Sequence, residues 1–222
     1  NILDTLLNKG VENLIKKNLP VVVQCVGSDF IGTNFETLDG IRDELFLLKT
    51  NFVGVLRQDN PYPIKDGECV YSGLVTTIRD DNANGLSYDK LFGYSMITCS
   101  PICKPEIING KMNAEDFLKT MTTIETIFQT AILGKNKILL LPLFGLDDND
   151  ENPIDDIIQI YNYCILKYSH KFDNIIIYIS EFVPHEVFEL FDQSIVKPIE
   201  ITKKIDQDYE HKKNHAKLIN ER

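Results

Sequence analysis

The feature that most constrains this chain is a set of short apolar runs that do not alternate with polar residues. Val21-Val22-Val23-Gln24-Cys25-Val26, Ile138-Leu139-Leu140-Leu141 and Ile175-Ile176-Ile177-Tyr178-Ile179 are nearly continuous and mostly aliphatic. A strand with one wet face alternates, whereas a continuous run reads as a strand covered on both faces. Helical spacing lies between such runs: Leu3, Leu6, Leu7, Val11, Leu14 and Ile15 over residues 3–17, and Leu45, Leu48, Phe52 and Leu56 over residues 41–56. The clearest helix spans residues 114–133, with Asn113 as its N-cap and Gly134 as its C′ residue. Pro153 opens another that runs through Tyr168. Further strands are expected at residues 70–78, 94–99 and 198–202, and a short helix at 186–191. Strands alternating with helices predict the α/β class, with a mixed, mostly parallel sheet between helices.

In such sheets ligands bind beyond the carboxyl ends of the strands. Two segments there carry the relevant side chains, residues 27–40 after the first strand and 142–153 after the Ile138–Leu141 run. The charge balance narrows what they hold. The chain carries a net charge of −10, with pI near 4.9, which argues against a nucleic-acid surface built on Lys and Arg. A small anion needs only one local positive pocket and is not excluded. No apolar run approaches membrane-span length and no signal peptide is visible, so an intracellular protein without a membrane partner is expected. The five cysteines are scattered and odd in number, which suits a reduced chain better than a disulfide framework.

Several local strings, in order and spacing, resemble those of the microbial-type poly(ADP-ribose) glycohydrolases, over residues 1–202. The strand Val21–Val26 leads into Gly32-Thr33-Asn34-Phe35; Arg42-Asp43-Glu44 opens a helix; Tyr71-Ser72 is followed by Ile78-Arg79-Asp80-Asp81. Ile97-Thr98-Cys99-Ser100-Pro101 is similar to the family's Ile-Thr-x-x-Ala-Pro strand. Leu139 through Asn152, then Pro153, is similar to its Leu-Gly-Ala-Phe-Gly-Cys-Gly-Val-Phe-x-Asn-Pro loop. The resemblance implies a macrodomain-like three-layer α/β/α sandwich over residues 1–202, followed by a charged helix or tail at 203–222. It implies ADP-ribose or a related nucleotide as ligand, with no cofactor.

The family's signature is three glycines, a short spacer, and Gln-Glu-Glu. Here Gly32, Thr33 and Asn34 occupy the glycine positions, seven residues follow, and Arg42-Asp43-Glu44 ends the motif. By resemblance Glu44 falls on the general acid that protonates the departing ribosyl oxygen, and Asp43 on the carboxylate beside it. The substitutions have physical consequences. Thr33 and Asn34 add Cβ atoms where glycines let backbone N–H groups approach a diphosphate. Arg42, paired with Glu44, favours the ionised carboxylate, a poor general acid. Glu44 also reads as a helix N-terminal acid favoured by the dipole. In the second loop Gly145 matches the family, but four carboxylates (Asp147, Asp148, Asp150, Glu151) stand within five residues. They repel a diphosphate.

Phe144 falls on the family's ribose-bordering aromatic and reads equally as core. Asp29 reads either as a contact to an adenine amino group or as an Asx-turn residue. No metal site is expected. Cys99 and Cys103 lack a second pair, His211 and His215 lack a third ligand, and Asp148, Asp150 and Asn152 lack the glycine and distal glutamate of an EF-hand loop. Three functions follow. Erosion of both phosphate loops gives a catalytically impaired macrodomain-like module acting through ligand or protein binding. Retention of Glu44 gives a diverged ADP-ribose glycohydrolase. A different nucleotide-derived ligand in the same cleft is the third.

Overall fold

The computed structural model describes residues 20–25, 63–76, 93–146, 151–178 and 185–194. Within them, β1 (Pro20–Cys25), β2 (Val70–Thr76), β3 (Gly93–Cys99), β6 (Ile138–Pro142) and β7 (Asn174–Tyr178) form one sheet. A small hairpin, β4 (Ile107–Ile108) with β5 (Lys111–Met112), stands apart from it. The helices are α1 (Ala114–Leu133), α2 (Ile154–Tyr168) and α3 (His185–Ser194), and a single 3₁₀ turn, Ser169–Lys171, follows α2. The class is mixed α/β, as expected.

The sheet order is β2-β3-β1-β6-β7. β1 runs parallel to β3, with Cys25 level with Cys99, and parallel to β6, with Val22 level with Leu140. β6 runs parallel to β7, while β2 pairs antiparallel with β3 and shifts register between Ser72 and Val75. The carboxyl ends of β1, β3, β6 and β7 therefore share one edge.

Of the continuous apolar runs, Ile138–Leu141 is buried as its composition requires, whereas Ile175, Ile176 and Ile177 of β7 are only half-buried. Every residue from Tyr94 to Cys99 and from Ile138 to Leu141 is buried, so both faces of β3 and β6 are covered. One face supplies Ile97, Cys99, Leu139 and Leu141 to the core. Against them α1 turns Ile124, Ile127, Phe128 and Ala131, and α2 turns Ile157, Ile160, Tyr161 and Cys164. Both sets follow the i, i+3, i+4, i+7 rhythm of an amphipathic helix. Each fully buried aliphatic side chain contributes roughly 1.5–3 kcal/mol of transfer free energy.

The ends of α1 show which local signals held. Asn113 caps it as expected, its Oδ1 accepting from the Asp116 N–H at 2.8 Å, and Glu115 and Asp116 favour the positive end of the dipole. At the other end the expectation shifts by one residue. Gly134 keeps a right-handed φ of −70°, and the left-handed residue is Lys135, at φ 58°. The Lys135 N–H donates to Ile132 O and the Asn136 N–H to Ala131 O, the bond pair of a Schellman motif. Gly134 is needed for space. A Cβ there meets the Tyr71 hydroxyl and Asn136 Oδ1, each at 2.6 Å. That hydroxyl also lies 3.0 Å from Ser95 Oγ and 3.1 Å from Asn136 Oδ1, so the end of α1 is pinned to β2 and β3.

The β4–β5 hairpin was not expected. Asn109 and Gly110 both have positive φ, 53° and 78°, which makes a type I′ turn. Met112 anchors the hairpin in the core, and its N–H donates at 2.7 Å to the buried Asp156 carboxylate at the start of α2. Among the described residues no helix is long and apolar enough to cross a membrane.

Candidate functional site

The strand ends define the place to look. β3 leaves the shared edge through Ser100, Pro101 and Ile102, and β6 leaves it through Leu143, Phe144, Gly145 and Leu146. β1 ends between them at Cys25. The β6 exit is held from behind at two points. Tyr161, on the buried face of α2, donates its hydroxyl to Pro142 O and accepts from the Phe144 N–H at 3.2 Å. Its ring meets Phe191 of α3 edge-on at 5.7 Å, which fixes the hydroxyl's position.

Asn152 holds the second point. Its side-chain nitrogen donates to Gly145 O at 2.9 Å and to Ile102 O at 2.9 Å. One carboxamide thus ties the β6 exit to the β3 exit, two residues before α2 begins. Gly145 has φ +68°, and a Cβ there lies 2.6 Å from that nitrogen and 3.5 Å from Pro101 Cβ. The turn therefore needs glycine for its conformation and for its space. Beside it Glu151, exposed and at φ 54°, pairs with the exposed Lys104 at 3.4 Å. One carboxylate of the acidic run thus has a cation beside it.

A separate open groove of about 450 Å³ runs between residues 64–70 and α1, lined by Ile64, Cys69, Thr126 and Thr130 among others. Burial pushes the Cys69 thiol above its ordinary pKa, against the opposing effect of its contact with Thr130. That is the wrong direction for a nucleophile.

Comparison with solved structures bears on the whole arrangement. The poly(ADP-ribose) glycohydrolase of Thermomonospora curvata matches with a TM-score of 0.65 at 13% identity, over 82% of this chain and 72% of that one. The chain has the fold of a poly(ADP-ribose) glycohydrolase. The Thermomonospora curvata enzyme bound to the inhibitor ADP-HPD matches at TM-score 0.64 and 14% identity, over 80% of this chain and 73% of that one. The Deinococcus radiodurans poly(ADP-ribose) glycohydrolase in complex with ADP-ribose matches at 0.60 and 13%, over 84% and 80%. Sequence comparison alone finds neither a family model nor a curated protein that matches.

Of the catalytic and ligand-binding residues expected from the sequence, two fall in the described region. Gly145 is the left-handed turn residue of the β6 exit. Phe144 is only 1% exposed and belongs to the core cluster, directly beneath that turn. Asp29, Gly32, Thr33, Asn34, Asp43 and Glu44 lie outside the described residues, as do Asp147, Asp148 and Asp150 and the tail at 203–222. Sequence reasoning missed Tyr161, Asp156 and the bridging role of Asn152. Tyr161 and Asp156 sit among ordinary helical residues, but an Asn directly before a helix-opening Pro was a signal that a loop was being tied down.

Proposed function

We propose that the chain is a macrodomain-like module that takes an ADP-ribose-type ligand at the carboxyl edge of its sheet and is impaired as a glycohydrolase. The observation that carries this reading is the Gly145 turn. It is left-handed, held by Asn152 and by Tyr161 at its neighbour Phe144, and tied by Asn152 to the β3 exit. Solved proteins of the same fold are crystallised with ADP-ribose and with ADP-HPD. A rigid glycine turn suits close approach of a diphosphate to backbone N–H groups. In this reading Gly32, Thr33, Asn34, Phe144 and Gly145 border the ligand and Asp29 faces the adenine. Burial of β3 and β6 on both faces supports a three-layer sandwich with a mostly parallel sheet, extending over residues 1–202 with 203–222 as a charged appendage.

Impairment rests on the sequence. Thr33 and Asn34 narrow the first phosphate loop, Arg42 favours ionised Glu44, and the acidic run opposes a diphosphate. The Lys104–Glu151 pair softens that opposition at Glu151. A second reading, an active hydrolase with Glu44 as general acid and Asp43 on the ribose, is favoured by the surviving spacing to Glu44. Binding of another nucleotide-derived ligand, or a role through protein partners inside the cell, uses the same scaffold.

Calorimetric titration with ADP-ribose at low salt, alongside poly(ADP-ribose) hydrolysis by wild type and Glu44→Gln, separates these. Micromolar binding without turnover supports the proposal. Turnover abolished by Glu44→Gln establishes the second reading instead. No heat at millimolar ADP-ribose removes ADP-ribose as the ligand and turns the search to other nucleotides and to partner proteins.

A further inference from the structure

The β6 exit is held by a side chain that accepts no ordinary substitute. Asn152 is 8% exposed, and its side-chain nitrogen supplies both donors, one to Gly145 O and one to Ile102 O. The two carbonyls belong to different loops, 50 and 7 residues away in sequence. A carboxylate in that place presents oxygen to oxygen and turns both attractions into repulsions. A serine has one donor on a shorter arm. The contact is also steric, because the same nitrogen stands 2.6 Å from where a Gly145 Cβ would be.

We infer that Asn152 is a positioning residue: by bridging Gly145 and Ile102 it sets the left-handed bend at Gly145, and through it the ligand-facing surface of the β6 exit, without touching the ligand. The ligand part of this inference rests on the ADP-ribose reading above; the bend part does not.

The probe is Asn152→Asp in the full chain, because its defect is reversible. At pH 8 its carboxylate faces two carbonyl oxygens. Near pH 5 a carboxyl so placed, raised by those neighbours, regains a proton and one donor. Glu151, Asp155 and Asp156 on the same segment, Lys104 opposite and Cys103 beside Ile102 are common to both proteins, so each comparison is with wild type at the same pH. The first readout is ADP-ribose affinity by calorimetry. The variant is expected to bind roughly 10- to 100-fold more weakly than wild type at pH 8, the loss of about two neutral hydrogen bonds. The gap narrows at pH 5. Equal affinity at pH 8 overturns the inference, as does a deficit unchanged by pH.

The second readout needs no ligand. The amide resonances of Gly145 and Leu146 in a nitrogen–proton correlation spectrum are expected to move in the variant at pH 8 and to return toward wild-type positions at pH 5. If wild type binds no ADP-ribose, the ADP-ribose reading has failed and these resonances alone decide the bend. Unmoved resonances overturn it. Should Asn152→Asp not fold at pH 8, Asn152→Ser, with one donor left, is measured instead, and an affinity and spectrum equal to wild type refute the bridge.

Discussion

Replacing Gly145 with alanine tests whether the turn is as constrained as its geometry implies. Two costs add. A non-glycine residue at φ +68° costs about 1–2 kcal/mol relative to the right-handed region. The new Cβ then lies 2.6 Å from the Asn152 side-chain nitrogen, which cannot retreat without weakening its bonds to Gly145 O and Ile102 O. Those are worth about 1 kcal/mol each. The contact to Pro101 Cβ, at 3.5 Å, is ordinary and adds nothing. The expected loss is therefore about 2–4 kcal/mol, a fall in Tm of roughly 4–15 °C for a domain of this size. Urea unfolding followed by far-ultraviolet circular dichroism reads it directly. Gly73→Ala is the control, since Gly73 lacks a positive φ and its Cβ meets only Tyr71 Cε1 at 3.8 Å. It should change stability by less than about 1 kcal/mol. A loss below about 2 kcal/mol for Gly145→Ala would refute the clamp, because the strain of the left-handed residue alone accounts for about 1–2 kcal/mol.

Three further outcomes follow from other parts of the fold. Lys135→Gly should leave stability unchanged or raise it by up to about 1 kcal/mol, by relieving the left-handed lysine of the Schellman motif, whereas Gly134→Ala should destabilise because its Cβ meets Tyr71 and Asn136; the same urea titration separates them. Burial raises the Glu125 pKa, but its hydrogen bonds with Lys167 and Tyr168 outweigh this and hold the carboxyl below its ordinary value, while the bond to Glu125 raises Lys167. The stability from Glu125 is thus present above the ordinary carboxylate range and lost as pH falls through its lowered pKa. That from Lys167 is present below the ordinary lysine pKa and lost only as pH rises through its raised value. A double-mutant cycle of Glu125→Gln and Lys167→Met at pH 7 should give about 0.5–1 kcal/mol of coupling that shrinks in acid, and a coupling independent of pH from 2 to 7 would contradict the pairing. Finally, iodoacetamide at pH 8 should label exposed Cys103 while sparing Cys164, which is fully buried and whose thiol burial pushes up to about 12; mass mapping of early Cys164 adducts would contradict the packing of α2.

What was legible in the sequence, and what was not, divides by the reach of the interactions. The bounds of α1 came from signals within a few residues: the apolar spacing, the Asn113 cap and the acidic first turn. The continuous run of β6 revealed burial on both faces because its composition alone demands it. Gly134 was read by the right local rule and landed one residue off, because its glycine answers to the Tyr71 hydroxyl, distant in sequence, while Lys135 bears the positive φ. The β4–β5 hairpin had a usable local signal, Asn109-Gly110 between apolar residues, but strands of two residues leave almost no periodicity to find. Tyr161 depends on partners 17 and 19 residues away and was invisible for that reason, whereas Asn152, bonded to residues 7 and 50 away, offered only its place before Pro153.

The same division bears on why the fold reads clearly while the chemistry does not. The two loops depart from the pattern of the resembling family at Thr33, Asn34, Arg42 and the acidic run. The residues that shape the β6 exit are bonded to its backbone: Tyr161 to Pro142 O and the Phe144 N–H, Asn152 to Gly145 O. Their role is set by packing and backbone hydrogen bonds, so it is indifferent to which ligand the edge holds. A carboxylate added in the 147–151 run changes the field near the β6 exit, while Gly145 is held by Asn152, outside that run. A chain can therefore keep the shaped edge of a glycohydrolase fold while its tolerance for a diphosphate is reset by surface charge. On that argument, neutralising Asp147 and Asp148 to asparagine should tighten ADP-ribose binding at low salt, with an advantage that fades as salt screens the charges, and leave Tm within about 2 °C. Equal affinities for wild type and the double variant at low salt would show that charge is not what limits the site.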